Sequence, residues 1–282
     1  MILAEPPRTQ YDLNFVLFNV PVRIHPMFWV IGLLLGLPRE SEGSVGGPSP
    51  AVGVIIWMFA LFVSILVHEM GHAFAIRHFG WEPRVVLYQL GGLAVWDSSP
   101  SYSYSYNTND DSSRAKILIA AAGPAAGFVL AALVIAVCYA SRYPVTFSLG
   151  GPLGFDWDVE GIRNIKALYL IHYLLFANIY WGLVNLLPVF PLDGGQISRE
   201  LFTLYSRRDG VQRSLMLSAI VGGVVAVLAL VRLASAGEFF TGLFIAAMFG
   251  YLAYISYATL QAYRGGGYDD YGDSYGRDDR GW

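Results

Sequence analysis

Charged residues and cysteine are both scarce in this 282-residue chain. Only 14% of its residues are charged, 55% are hydrophobic, and the mean hydropathy is +0.48. Because soluble domains carry about a quarter charged residues, this composition predicts a membrane protein in contact with the lipid bilayer. The single cysteine, Cys138, excludes a disulfide framework and a cysteine-based metal site.

Concentrated positive charge is also missing. The chain has 18 Lys and Arg residues against 21 Asp and Glu residues, and the basic residues are scattered. This pattern argues against a nucleic-acid-binding surface, so we expect no nucleic-acid partner. Residues 1–19 lack a basic start followed by an apolar core, so we expect no removable signal peptide.

Long apolar runs dominate the rest of the sequence. Each run of about 20 such residues can cross a bilayer as a helix, which satisfies its own backbone hydrogen bonds. The candidate spans are 51–79, 117–140, 167–187, 215–233 and 239–262, and a sixth is predicted over 24–37, entered through 15–22 with a bend at Pro21. The predicted fold class is an all-α membrane protein of about six transmembrane helices.

The distribution of basic residues predicts the orientation. Most Lys and Arg residues fall in the termini and in the loops on the same side of six spans, so both termini should be cytoplasmic. We therefore divide the chain into a cytoplasmic segment (1–23), a membrane domain (24–262, core about 51–200) and a disordered cytoplasmic tail (263–282). The expected location is the cell (inner) membrane.

Residues 84–96 are too few to cross the bilayer as a helix and are rich in β-branched and aromatic residues. They predict a short membrane-associated β-hairpin. Two interpretations remain open: a surface hairpin with Gly91 and Gly92 at its turn, or a re-entrant element within the membrane.

The sequence His68-Glu69-Met70-Gly71-His72 lies inside the second predicted span. Positions four apart share one face of a helix, so both imidazoles can bind one zinc ion while Glu69 acts on a water molecule. A carboxylate inside an apolar span costs several kcal/mol unless it is paired or near a metal, which favours a functional role. The alternative is an accidental match, with both histidines hydrogen-bonded in a helical bundle.

A third zinc ligand should come from another helix at a similar depth. Asp193 meets that requirement because it follows the fourth span, which runs towards the same side as the second. Taken alone, Asp193-Gly194 would indicate an ordinary turn that ends a helix. Beside a buried histidine pair, a ligand is the favoured interpretation.

Two separate motifs resemble the site-2 protease family of intramembrane zinc metalloproteases. HEMGH (68–72) matches the HExxH of that family, and NLLPVFPLDG (185–194) matches its second core-helix motif. Weaker similarities occur at residues 23–26, at Gly91-Gly92 and at Gly123-Pro124. One departure is Gly127-Phe128, since the family often has Asn-Phe at that point.

The resemblance implies a three-helix catalytic core, with one zinc ion per chain held by His68, His72 and Asp193. It also implies that Glu69 activates water and that Asn185 positions the substrate or stabilises the oxyanion. An interhelical hydrogen bond is an equally weighted interpretation of Asn185. The implied substrate is a transmembrane protein cleaved in or near its membrane segment. Residues 87–94, as a strand, would hold this substrate by edge pairing.

Two other functions are compatible with buried His and Asp residues. A metal transporter needs no glutamate between its histidines, and a catalytically inactive relative would bind membrane proteins without cleaving them. The remaining histidines, His25, His78 and His172, are interpreted as structural. Gly123 and Gly127 predict a close approach of two helices.

Overall fold

The computed structural model describes residues 5–36, 47–88, 91–96, 112–149, 155–206, 209–235 and 239–264. The predicted disordered tail lies almost entirely outside these ranges. Five helices in the described ranges are long and apolar enough to span a membrane. They are α2 (Pro50–His78), α3 (Ser113–Ala140), α4 (Ile165–Asn185), α6 (Gly210–Ser235) and α7 (Phe239–Arg264). Each coincides with a predicted span, which confirms those five.

The sixth predicted span differs from its prediction. Helix α1 (Pro26–Leu35) has ten residues, about 15 Å of rise, which is half of a bilayer core. The segment before it does not extend this helix, because it forms strands β1 (Leu13–Leu17) and β2 (Val20–Ile24). Phe18 and Asn19 between the strands have positive φ, as a tight hairpin turn requires, and Pro21 disfavours a helix there.

Strands β3 (Pro83–Tyr88) and β4 (Gly91–Trp96) form the hairpin predicted over 84–96. They belong to a larger sheet in the order β1-β2-β3-β4, in which β2 and β3 are parallel. Gly91 pairs with Tyr88, so the glycines begin β4 and the prediction that they form the turn was wrong. Residues 89 and 90, which connect the strands, lie outside the described residues.

The sheet packs against the second half of α2. Val22, Val85 and Leu87 share a buried core with Ile65 and Met70 of the helix. The side chains from β2 and β3 therefore contact the part of α2 that contains HEMGH. Strand β2 leads into α1, and strand β3 follows α2. The pairing of β2 with β3 therefore brings the start of α1 and the end of α2 to the same sheet.

The described residues group into two compact units. The first contains the described residues within 1–78, 82–96 and 122–184, and the second contains those within 79–81, 97–121 and 185–282. The first unit includes a second hairpin of β5 (Val145–Leu149) and β6 (Phe155–Val159). Its Trp157 ring lies 5.2 Å from the Tyr180 ring of α4.

The second unit contains α5 (Asp193–Tyr205), α6 and α7. A Cβ placed on Gly222 of α6 would lie 3.2 Å from the Cβ of Ala253 on α7. Small residues therefore allow this antiparallel pair to pack closely, as is common between membrane helices.

Candidate metal centre

The two imidazoles of HEMGH point towards one another. The Nε2 atoms of His68 and His72 are 3.1 Å apart, and each residue is 8% exposed. Two nitrogen ligands at 2.0–2.1 Å from a tetrahedral zinc ion would be about 3.3 Å apart. The helical i, i+4 spacing therefore places the pair at nearly the separation that a shared zinc ion requires.

Glu69 is buried beside this pair, with an exposed fraction of 5%. Strand β4 lies directly against it, because a Cβ added to Gly92 would overlap the Glu69 carboxyl group. Burial raises the pKa of Tyr88, and the negative charge of Glu69 raises it further. The carboxyl group thus lies between the imidazole-bearing helix and the sheet, in an environment with little water.

Glycine also provides the space for His72. A Cβ on Gly123 of α3 would overlap the His72 imidazole, so Gly123 accommodates a side chain. The close backbone approach predicted for Gly123 occurs instead at Gly71 of α2. A Cβ added to Gly71 would overlap the Ala122 carbonyl oxygen of α3 and would lie 2.7 Å from the Ala126 Cβ. The spacing in the sequence signalled a tight helix contact, but it did not indicate the neighbour of Gly123.

Asp193 is the first residue of α5 and is 9% exposed. It therefore begins a helix, and the alternative that Asp193-Gly194 forms a turn ending a helix was wrong. Gly194 and Gly195 lie against the preceding backbone, where a Cβ would overlap Leu186 and collide with Val189. The Phe190 N–H donates a 3.1 Å hydrogen bond to the Ser218 hydroxyl of α6, which helps to fix the chain leading to Asp193.

His68, His72 and Asp193 each offer one ligand atom, and these atoms all lie within 4.8 Å of one another. Two imidazoles and one carboxylate are a donor set that catalytic zinc sites use, with a fourth position left for water or substrate. The chemistry of the donor set therefore fits zinc.

Two asparagines of α4 are buried near its second half. Asn185, proposed from the motif, is the last residue of α4 and is 8% exposed. Asn178 was not identified from the sequence, yet it is 3% exposed and donates a 2.8 Å hydrogen bond to Ser64 of α2. An asparagine inside an apolar span was the available signal.

Two of the other histidines have local contacts, which agree with the structural role expected for them. His25 Nδ1 accepts a 3.2 Å hydrogen bond from the Met27 N–H at the start of α1. His172 Nδ1 lies 3.1 Å from the Leu168 carbonyl oxygen one turn earlier. His78 is the last residue of α2.

Residues 56–230 match the family model described as peptidase family M50. This chain belongs to peptidase family M50. The match includes HEMGH and the Asp193 motif, and it confirms the family resemblance inferred from those two motifs.

Individual relatives in this family are distant. The zinc metalloprotease MJ0392 of Methanocaldococcus jannaschii is 25% identical over 77% of this chain and 52% of its own length. A Mycobacterium tuberculosis protein named Rip3 is 30% identical over 86% of this chain and 55% of its own length. The M50 chain described here thus spans about half the length of these relatives.

A solved structure titled Site-2 Protease from Methanocaldococcus jannaschii is also similar. It is 21% identical to this M50 chain with a TM-score of 0.48, over 87% of this chain and 95% of the solved one.

Proposed function

We propose that this chain is an intramembrane zinc metalloendopeptidase of the site-2 protease type. It hydrolyses peptide bonds in or near the transmembrane segments of other membrane proteins, in regulated intramembrane proteolysis. The observation that carries the proposal is a buried glutamate beside two imidazoles whose Nε2 atoms are 3.1 Å apart, on a membrane-spanning helix. The M50 family match and the name of the M. jannaschii relative support it.

His68, His72 and Asp193 would hold one zinc ion per chain. A bound zinc ion would polarise the scissile carbonyl and make a water molecule easier to deprotonate. The burial of all three residues supports this assignment, because ionisable groups gathered inside a membrane protein favour a functional role such as metal binding. The alternative of an accidental histidine pair leaves the adjacent buried carboxyl group without a role.

Glu69 would act as the general base and then as the general acid. Its carboxylate accepts a proton from the attacking water and delivers it to the leaving amine, so one residue serves both steps. Gly92 lets β4 lie against this carboxyl group, which limits its contact with bulk water. A dry surrounding strengthens the electrostatic interactions of the carboxylate with the reacting groups.

The substrate would bind as an extended strand. Strand β4 pairs with β3 on one side and ends the described order of the sheet, so its other edge offers backbone groups to an unwound segment. A helical substrate hides its peptide bonds until it unwinds. Asn185 would position the substrate or stabilise the oxyanion, and its burial at the end of α4 supports a role within the protein interior.

The proposed setting is the inner membrane of the cell, with both termini in the cytoplasm. The uneven distribution of basic residues supports this orientation. Five spans alone would put the termini on opposite sides, but the β1–β2 hairpin and α1 together run back along α2. Arg77 near the end of α2 donates a 2.8 Å hydrogen bond to the Phe18 carbonyl oxygen, and Trp57 near its start donates one of 2.9 Å to the Gly32 carbonyl oxygen of α1. Fusing an alkaline phosphatase or a fluorescent reporter to each terminus would test it. Fluorescence without phosphatase activity at both ends agrees with the proposal.

Reconstitution with a model transmembrane substrate tests the activity. Glu69→Gln keeps the size of the side chain but cannot take a proton, so cleavage should fall by about 10³-fold while bound zinc is retained. Glu160→Gln is the matched control, because Glu160 is exposed at the end of the β5–β6 hairpin, and it should cleave like the wild type.

Equal cleavage by Glu69→Gln and wild type would contradict this mechanism. Zinc-dependent ion flux through the vesicles without any cleavage would favour a transporter. Substrate binding by the wild-type protein with no cleavage would indicate an inactive relative.

A further inference from the structure

One buried hydrogen bond joins the HEMGH helix to α4. The Asn178 amide donates to the Ser64 hydroxyl at 2.8 Å and to the Leu174 carbonyl oxygen at 2.7 Å. Ser64 is 4% exposed and Asn178 is 3% exposed. Both amide protons therefore have acceptors, one on the same helix and one on α2.

The position of Ser64 connects this bond to the candidate metal centre. Ser64 precedes His68 by four residues and His72 by eight, so the three side chains follow one face of α2. All three are buried. The hydrogen bond thus holds α2 one turn before the first imidazole.

A third helix meets the same point. A Cβ on Gly127 of α3 would lie 3.4 Å from Asn178 Oδ1 and 3.7 Å from the Asn178 carbonyl oxygen. Helix α3 therefore lies in van der Waals range of the Asn178 amide that bonds to α2. The departure of Gly127-Phe128 from the family motif coincides with an amide that reaches this place from α4.

Hydrophobic burial does little to set the relative position of helices in lipid, since the lipid is as apolar as the side chains. Close packing and interhelical hydrogen bonds take over that role. A directional bond between two short side chains fixes both the rotation and the axial shift of one helix against another. A shift of α2 would move His68, Glu69 and His72 together.

We propose that Asn178 is a positioning residue that, through Ser64, fixes the place of α2 against α4 and so sets the imidazole pair and Glu69 for the reaction. This role rests on the proposed function. It differs from general stabilisation because it requires the hydrogen bond itself, whereas filling the same volume with an apolar group does not suffice.

Ser64→Thr and Ser64→Val test this requirement as a matched pair. Threonine and valine have the same shape, but only threonine retains the hydroxyl that accepts from Asn178. Ser64→Val should lower kcat about tenfold with KM within about twofold, because small displacements of catalytic groups reduce the chemical step strongly. Ser64→Thr should retain at least about half of the wild-type kcat.

Cobalt substitution provides a second measurement that does not depend on cleavage. The visible absorption of bound Co²⁺ reports the geometry of its ligands, so Ser64→Val and Asn178→Leu should change the spectrum and Ser64→Thr should reproduce that of the wild type. Thermal unfolding of each variant shows whether it has folded.

Equal kcat and equal cobalt spectra for folded Ser64→Thr and Ser64→Val would overturn the positioning role. If both variants fail to fold, Asn178→Leu decides: an unchanged spectrum and kcat overturn the proposal, and a changed spectrum with reduced kcat supports it. Absence of metal binding and cleavage in the wild type would instead refute the proposed function.

Discussion

The second half of α2 and the α6–α7 pair both lie in membrane-spanning helices, but they bury different groups. Within α2, Ser64, His68, Glu69 and His72 are all buried inside about three turns. The α6–α7 pair packs through small residues, and its large side chains such as Val227 and Leu228 are exposed, as lipid-facing residues are. The second half of α2 contains a cluster of buried polar groups, whereas the α6–α7 pair presents mainly apolar side chains to the lipid.

The serines of the α6–α7 pair show how polar groups are tolerated without chemistry. Ser256 is fully buried, yet its hydroxyl donates a 2.9 Å hydrogen bond to the Leu252 carbonyl oxygen of its own helix. In α2, by contrast, two histidines and a glutamate are buried within five residues of one another. Their burial in α2 therefore points to a function, and the comparison yields variants that should affect one region and spare the other.

The largest effect on metal binding is expected from Asp193→Ala. Zinc affinity should fall by more than about 100-fold, because even residues that only support metal ligands contribute 10- to 100-fold. Competition with a chromophoric chelator measures it. Asp209→Ala is the control, since that side chain is 56% exposed. Wild-type affinity in Asp193→Ala would exclude Asp193 as a ligand.

A smaller loss is expected from Gly123→Ala, in which the new methyl group overlaps the His72 imidazole. Zinc affinity and kcat should both fall by about tenfold or more, because the ligand must turn away. Gly223→Ala in α6 is the matched control, as nothing lies within 4 Å of its Cβ position. It should bind zinc normally and gain up to about 1 kcal/mol of stability. Similar losses in both variants would show that Gly123 has no special relation to His72.

Gly92→Ala should separate catalysis from metal binding. The added methyl group overlaps the Glu69 carboxyl group, whose atoms are its nearest neighbours. We expect kcat to fall by about tenfold with zinc affinity within about twofold. Gly53→Ala serves as the control because its Cβ position is open. A parallel loss of zinc in Gly92→Ala would contradict this division of roles.

Hydropathy and motif spacing were sufficient to predict α2, α3, α4, α6 and α7. They were insufficient for the segment before α1. There, Phe18 and Asn19 form a tight turn between two strands, and β2 pairs with β3 in a sheet. Parallel pairing joins residues about 60 positions apart, which no local pattern encodes.

The candidate ligands could be predicted because chemistry restricts them to histidine and carboxylate at fixed spacing. The contacts of Gly92 with Glu69 and of Gly123 with His72 could not be predicted. A glycine specifies only that space is needed, and the neighbour that occupies the space depends on tertiary structure. The Ser64–Asn178 bond is similar, since either residue could have bonded within its own helix.

The smallest effect is expected from pH at the N-terminal segment. Burial by itself raises the pKa of Asp12, but hydrogen bonds from Thr9 and the Arg23 guanidinium outweigh it and hold the pKa below the ordinary value of 3.8. Ionised Asp12 therefore stabilises the fold above about pH 4, and this contribution is lost as the pH falls through the lowered pKa.

Asp12→Asn should lower the Tm by no more than about 4 °C at pH 7, and the difference from the wild type should shrink towards pH 3. Thermal unfolding across this range measures it. A Tm difference that grows on acidification would contradict the sign of the shift. Zinc affinity at pH 7 should be unchanged, because Asp12 lies outside the candidate metal centre.

X-ray absorption of the purified, zinc-loaded protein tests the central claim most directly. Outer-shell scattering counts the imidazoles bound to zinc, and elemental analysis gives the stoichiometry. The account predicts one zinc ion per chain with two imidazoles in the wild type, and one imidazole or lost zinc in His72→Ala. A wild-type protein without stoichiometric zinc, or with a number of imidazoles that His72→Ala leaves unchanged, would contradict it.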